Sequence, residues 1–456
     1  MMLNKSDLVE DQQNAIDYMY EHDRILLIAP TGGGKTVCSM TAARELLDDG
    51  VIKRVLVVST KKVANNVWRD EYKKWSHLQH SRVDVATGND DQRTRCLHND
   101  SEFVITTFGL LPWFFDVDWR WHKFDALIID EVKKCADTGT EAFKALRYKI
   151  KNFKWYLGMT ADIVPEDYTS LYGACLLIDG GATFGTNKDK FLWKYFFPAD
   201  RNMHRWTLIP GSAEKIAAKL ARLTYVMPDY KHTLPPIHYH DVWCDMNEHT
   251  QNLYKTMAQK MFVDTAEGRV LAKNAAVKSM KLEQLTQGFL YQGENNDTRV
   301  SVHETKLDAL KNMITPEMGN IVIVYWFTEE LDILLKAFPQ GKALGGSQTE
   351  READQIIKDW NRGKLPVLFL QPQGSGHGLN IAQGGYTMIF YCPPWSNDLF
   401  KQTRDRLWRR GQAHEVQIYR ILMRMSIDDL KTERLEEKGE HNPRLINHLN
   451  DVINNM

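Results

Sequence analysis

A four-residue apolar run, Ile25-Leu26-Leu27-Ile28, leads directly into Ala29-Pro30-Thr31-Gly32-Gly33-Gly34-Lys35-Thr36, and this junction constrains the fold more than any other stretch. Leucine and isoleucine in an unbroken run suit a strand buried on both faces. Three consecutive glycines leave no Cβ between the backbone N–H groups and an anion. The helix-forming residues Ala42 to Leu47 follow, so a helix N-terminus points at whatever the loop holds. Strand, glycine loop and helix in that order describe a cradle for a nucleotide triphosphate. Gly32, Gly33 and Gly34 would wrap the phosphates, Lys35 would reach the β and γ oxygens, and the Thr36 hydroxyl would bind Mg2+.

The chain has 456 residues, room for two or three domains each with its own core. Its 43% hydrophobic and 26% charged content are those of an ordinary globular protein. A net charge of -1 supplies no global field toward nucleic acid or an anionic membrane, so any such binding has to come from local grooves. Apolar runs such as Ile321 to Phe327 are too short to cross a membrane, and Met1 to Gln13 lacks the apolar region of a signal peptide. A cytoplasmic location and no membrane partner are expected. The six cysteines include no Cys-x-x-Cys pair, which argues against a zinc module and against a disulfide framework.

Further strands are expected at Arg54 to Val58, Phe103 to Thr107, Ala126 to Ile129 and Trp155 to Gly158, with helical stretches between them. Such alternation predicts a parallel sheet wrapped by helices. The fourth strand ends in Asp130-Glu131, 95 residues after Lys35. At that position Asp130 would hold the Mg2+ shell and Glu131 would orient or deprotonate an attacking water. Gln12, 23 positions before Lys35, carries an amide that can both donate to and accept from an adenine edge. The Ser59-Thr60-Lys61 segment, at a strand end, suits phosphate contacts.

Residues 201 to 300 change character, with helix-like segments at Ser212 to Leu220 and from Glu248 onward and a connector at Pro235-Pro236. They are expected to form a helical insertion and linker between an N-terminal domain (1–200) and a second α/β domain (301–456). The second domain's strands are expected at Ile321 to Tyr325, Val367 to Leu370, Met388 to Tyr391 and Val416 to Tyr419. It has no second phosphate loop. It carries Gly374-Ser375-Gly376-His377-Gly378-Leu379-Asn380 and the run Gln402 to Gln412, in which Gln402, Arg406 and Arg409 would share one helix face at i, i+4 and i+7. Guanidinium groups on one ridge suit the charge that develops on a transferring γ-phosphate.

Taken together, Gln12, the loop Ala29 to Thr36, Val104 to Phe108, Asp130-Glu131-Val132-Lys133, Gly374 to Ile381 and Trp395 to Gln412 resemble the motif series of superfamily-two helicases. The branch is that of SWI/SNF-like DNA translocases, in a compact form like those of bacteriophages. The resemblance implies two RecA-like domains in tandem, with ATP and Mg2+ in the cleft between them. Lys35, Thr36, Asp130 and Glu131 would act from the first domain, and Gln402 with the arginine fingers Arg406 and Arg409 from the second. It also implies DNA across both domains, gripped mainly through phosphates by Ser59, Thr60, Lys61, Thr106, Thr107, Gly346, Ser347, Gly374, Ser375 and Asn380. Replication or recombination proteins are conceivable partners, an oligomer is not implied, and a phage-encoded form would work in the host cytoplasm.

Two positions depart from the family pattern: Lys133 stands where histidine is frequent and Asp162 where threonine is usual. Their opposite charges suggest a compensating ion pair. Three functions are open from sequence: a duplex or branched-DNA translocase, a strand-separating helicase on forks or single strands, and a DNA-binding module that does not hydrolyse ATP. Intact Lys35, Glu131, Arg406 and Arg409 argue against the last.

Overall fold

Short Val, Ile and Leu runs form the central strands of the N-terminal unit. They are β1 (Arg24–Ile28), β2 (Val55–Ser59), β3 (Val83–Val85), β4 (Phe103–Thr107), β5 (Ala126–Asp130) and β6 (Trp155–Thr160). An antiparallel ribbon, β7 (Phe196–Pro198) with β8 (Trp206–Leu208), and then β9 (Thr224–Val226) follow. All but the ribbon join one sheet in the order β3-β4-β2-β5-β6-β1-β9, every pairing parallel. Successive side chains alternate between its faces. Leu26, Ile28, Leu56, Val58, Leu127 and Ile129 pack into one core, and Ile25, Leu27, Val55, Val57, Ala126 and Ile128 into another. The computed structural model describes residues 2–121, 123–161, 168–203, 205–260, 262–265, 268–271, 275–292, 298–345, 348–372 and 379–437.

The C-terminal unit begins with β10 (Ile237–Cys244), continues through the hairpins β11 (Phe262–Thr265) with β12 (Gly268–Leu271) and β13 (Phe289–Gln292) with β14 (Thr298–Ser301), and then adds β15 (Ile321–Val324), β16 (Lys342–Leu344), β17 (Val367–Leu370), β18 (Thr387–Phe390) and β19 (Val416–Met423). Its main sheet, β10-β19-β18-β15-β17-β16, is again parallel throughout. Both parallel-sheet domains expected from the resemblance are present.

The domain limits differ from those expected. The compact units divide between Tyr230 and Lys231, and residues 201–300 are shared between them rather than inserted. β9 extends the first sheet beside β1, while β10 pairs with β19 over eight residues from Ile237 to Cys244. The helices at Ser212–Leu220 and Glu248–Lys260 lie where the sequence placed them. What ties the later part of this stretch to the C-terminal unit is buried charge. Glu283, on the helix Ala275–Thr286, bonds Lys431 and the Trp395 indole N–H, and Lys306 pairs with Asp428 at 2.7 Å. Burying such groups is tolerated only because each charge meets its opposite and further donors or acceptors.

Glu330 is held by backbone groups instead. It opens the helix Thr328–Ala337, fully buried, and its Oε2 accepts the backbone N–H groups of Trp326 at 2.7 Å and Phe327 at 3.2 Å. Burial raises its pKa to about 7, against the pull of those two N–H groups. A carboxyl whose folded pKa lies above its unfolded value holds its proton more tightly when folded, so stability falls as pH rises from about 4.5 to about 7. Glu330→Gln keeps the acceptor and removes the ionisation. Urea unfolding should find the variant more stable than the parent at pH 8, by up to about 3 kcal/mol, and nearly equal at pH 5. The same gap at both pH values would show that ionisation of Glu330 is not what the fold resists.

Candidate active site

β6 lies between β1 and β5. Because parallel strands all end on the same side, the segments that leave β1, β6 and β5 emerge next to one another. They are the glycine loop, Thr160 and the Asp130-Glu131 pair.

In the loop, Gly34 caps the helix Lys35–Asp48 at φ 93°, a backbone state that favours glycine, and a Cβ there would lie 2.2 Å from Gln12 Nε2. Gln12 is folded against the loop: its Nε2 donates to the Gly33 carbonyl at 3.0 Å, and its Oε1 accepts from the Val9 N–H at 3.1 Å. Lys35 Nζ donates to the carbonyls of Ala29 at 2.9 Å and Pro30 at 3.4 Å. Gly32 and Gly33 precede it in the loop, and Thr36 follows it in the helix. The helix has no acidic residue in its first turn, so its positive end is left for an anion.

The strand end of β5 supplies both acids. Asp130 Oδ2 accepts from Ser59 Oγ at 3.0 Å and from the Trp68 indole N–H at 2.9 Å, and neither bond uses Oδ1. Glu131 takes φ 74°, unusual for a side-chain-bearing residue and a form of strain concentrated at functional sites. Its N–H still bonds the Met159 carbonyl at 2.9 Å, and its Oε1 accepts from the Thr160 hydroxyl. Lys133 Nζ is 3.9 Å from the same oxygen. Burial pushes the Glu131 carboxyl above its ordinary value, opposed by Lys133, Thr160 and Lys35. A desolvated carboxyl of raised basicity suits a base that must take a proton from water. Thr36 and Asp130 offer the hard oxygen donors that Mg2+ takes, and the loop supplies the phosphate site beside them, so the residues fit that cation.

The arginine segment differs from expectation. The helix Asn397–Arg404 carries Gln402, whose Nε2 bonds Asp398 at 2.9 Å, and ends before Arg406. Asp405 forms the helix C-cap; its carboxylate takes Arg404 at 2.7 Å and Lys231 at 2.5 Å. Gln402, Arg406 and Arg409 therefore do not share a helix face. Arg406 and Arg409 lie in the turns that follow. Arg406 is buried and bonds the Pro372 carbonyl at 3.4 Å; Arg409 bonds the Leu379 carbonyl at 3.0 Å. Burial and the neighbouring Arg409 lower the Arg406 pKa to about 10.

Two expected DNA contacts also need correction. Ser59 is buried with its hydroxyl on Asp130, and Thr106 is buried with its hydroxyl on the Ala86 carbonyl at 3.2 Å. Strand-end hydroxyls turned inward to satisfy neighbours are not presented to a phosphate. Lys61 and Asn380 are exposed, and Thr60 and Thr107 are half-buried. Gly346, Ser347, Gly374 and Ser375 lie outside the described residues, as does Asp162, the expected partner of Lys133. Residues missed from sequence include Trp68, Thr160 and Tyr230, whose hydroxyl donates to the Thr31 carbonyl at 2.8 Å.

The chain is similar to known proteins over most of its length. Residues 9–167 match the DEAD/DEAH box helicase model and residues 305–411 the helicase conserved C-terminal domain. The two models together span more than half of the chain and fall one on each unit. The chain belongs to the superfamily-two helicases. It is an ATP-hydrolysing enzyme of the helicase and translocase class, with two RecA-like domains. Protein p41 of Acyrthosiphon pisum secondary endosymbiont phage 1 is 26% identical over 94% of this chain and 95% of its own. The DNA repair and recombination protein RAD54B of Gallus gallus is 22% identical over 91% of this chain, which spans about half (51%) of RAD54B. A solved structure of the Sulfolobus solfataricus SWI2/SNF2 ATPase core in complex with dsDNA aligns over 97% of this chain and 96% of its own at 18% identity, with a TM-score of 0.44. No helix among the described residues is long and apolar enough to cross a membrane.

Asp130 is the acid proposed to hold Mg2+, and the Trp68 indole N–H fixes its Oδ2. Trp68→Phe should fold and raise the Mg2+ concentration that half-saturates ATP hydrolysis by about tenfold, the usual scale for losing a partner of a metal ligand. An Mg2+ titration of the ATPase checks it; an unchanged midpoint would show that Trp68 only packs.

Proposed function

We propose that this helicase-family enzyme is a DNA motor that couples ATP hydrolysis to movement along duplex or branched DNA in replication, recombination or repair. The observation that carries the reading is the convergence of Lys35, Asp130 and a buried, Thr160-bonded Glu131 at the ends of three neighbouring parallel strands. A lysine for phosphate, an acid for Mg2+ and a buried base at one place disfavour a passive binding module.

In this reading Gln12 reads the adenine edge while bracing Gly33, and Gly32, Gly33 and Gly34 with Lys35 hold the phosphates. Thr36 and Asp130 hold Mg2+, which would supply charge neutralisation on the phosphate oxygens. Glu131 accepts the proton of the attacking water, aimed by the Thr160 hydroxyl. Arg406 and Arg409 serve as the arginine fingers, with Gln402 on the helix before them. DNA is gripped by Thr60, Lys61, Thr107 and Asn380, with Gly346, Ser347, Gly374 and Ser375. Phosphate contacts of this kind carry little sequence information and weaken steeply with salt.

The test is the steady-state ATPase rate of the full chain with no nucleic acid, blunt duplex, single strand, fork and RNA. Blunt duplex should stimulate hydrolysis, Lys35→Ala should abolish it, and Glu131→Gln should lower kcat by about 10²- to 10⁴-fold. Stimulation confined to single strands or forks would replace the duplex motor with a strand-separating helicase. No hydrolysis under any condition would overturn both.

A further inference from the structure

The chain passes from one unit to the other between Tyr230 and Lys231, and these consecutive residues hold two parts of the site. Both lie in the 3-10 helix Tyr230–Thr233. With three residues per turn, neighbours on such a helix point about 120° apart, so the pair reaches in two directions. Tyr230 is buried, and its hydroxyl donates to the Thr31 carbonyl at 2.8 Å. Met227, three residues earlier, donates its N–H to the Ile28 carbonyl at 2.8 Å, and a Cβ on Gly33 would come within 3.2 Å of its sulfur. Along the glycine loop, Lys35 thus holds the carbonyls of Ala29 and Pro30, and Tyr230 holds the next one.

Lys231 serves the arginine turn. Its ammonium meets Asp405 at 2.5 Å, with both side chains largely buried, and stands 5.4 Å from the centre of the Trp408 ring. The Pro235 carbonyl accepts from the Trp408 indole N–H at 2.8 Å, and the Tyr239 hydroxyl accepts from Arg404 at 2.7 Å. Residues 231–239 therefore fix the stretch 404–408, which contains Arg406, at Asp405, Trp408 and Arg404. A 3-10 helix followed by Pro235-Pro236, whose rings fix φ, makes this connector stiffer than a glycine or serine linker. Neither Tyr230 nor Lys231 belongs to the motif series that carries the family resemblance.

We propose that Tyr230 and Lys231 are positioning residues for ATP hydrolysis, tying the state of the glycine loop to the placing of Arg406 through the single peptide bond that joins them. The assignment rests on the reading of Arg406 as an arginine finger. Phosphates bound in the loop compete with the Ala29 and Pro30 carbonyls for Lys35, so the loop backbone is rebonded as nucleotide arrives or leaves. The Thr31 carbonyl adjoins those two and carries the Tyr230 hydroxyl with it. On the other side, Lys231 would give up a buried ion pair if it left Asp405, so the turn follows the lysine. No residue stands between the two anchors to absorb the change.

The experiment is a double-mutant cycle on the steady-state ATPase of the full chain, with the nucleic acid that stimulates it most. Tyr230→Phe keeps the ring and removes the hydroxyl; Lys231→Met keeps the stem and removes the charge. Each should lower kcat by about three- to tenfold, the range for a lost hydrogen bond, with the KM for ATP little changed. Because one peptide bond links the anchors, the double variant should lose no more than the worse single one, and Lys231→Arg should keep most of the rate. A double loss equal to the product of the single losses overturns the proposal. So does a Tyr230→Phe that changes KM alone, since the hydroxyl would then only shape the loop. Thermal melting identifies a variant that fails to fold, and Lys231→Gln then replaces Lys231→Met in the cycle. Arg406→Ala judges the arginine-finger reading separately: a wild-type kcat there overturns that reading and this one with it. A loss of about 10³-fold or more in Arg406→Ala, beside multiplicative losses in the cycle, overturns the coupling alone.

Discussion

The parallel pairing of β1, β6 and β5 is the constraint on which the ATP site depends. Ile28 lies opposite Thr160 and Asp130 opposite Met159, so the last residue of β6 lies level with the end of β1 and just beyond the end of β5. Thr160 can then reach Glu131, and the Glu131 N–H can close on the Met159 carbonyl even though its φ has turned positive. A slip of one residue in β6 would send the Thr160 side chain to the other face of the sheet. The strain at Glu131 is small against the parallel ladder that imposes it.

What could be read from sequence follows from where each strand sits. β2, β4, β5, β6, β15, β17 and β18 are buried on both faces, and burial demands unbroken apolar runs. β3, β9 and β16 are three residues long, and β10 reads Ile-His-Tyr-His-Asp-Val-Trp-Cys with its middle exposed. These are sheet edges, and short or polar edges discourage pairing with other chains. The property that protects them removes the apolar signal, which is why residues 201–300 resemble an insertion in sequence. In β10 the exposed Asp241 also takes Arg420 of β19 in a two-pronged ion pair.

The site divides in a similar way. Gln12, Lys35, Asp130 and Glu131 are legible because strand, loop and spacing locate them. Trp68 and Tyr230 are not, since their partners lie 62 and 199 positions away in sequence. Thr160 is visible only as the end of a strand. Ser59 and Thr106 mislead because a hydroxyl at a strand end looks the same in sequence whether it faces solvent or a buried acceptor. The i, i+4, i+7 reading of Gln402, Arg406 and Arg409 assumes an uninterrupted helix. Asp405, drawn to Arg404 and Lys231, caps a helix that ends two residues before Arg406.

That early helix end has a consequence for how the C-terminal unit could respond to nucleotide. On a helix, both arginines would be fixed to one rigid rod. In the turns that follow it, Arg406 holds the Pro372 carbonyl and Arg409 the Leu379 carbonyl, the residues on either side of 373–378 in sequence. The Arg406 carbonyl also accepts the Ile381 N–H at 3.2 Å. Each proposed finger is thus bonded to one end of the stretch that contains Gly374 and Ser375, two of the proposed DNA contacts. An arginine drawn toward a phosphate has to loosen or carry with it the carbonyl it already holds, because a buried guanidinium keeps its acceptors.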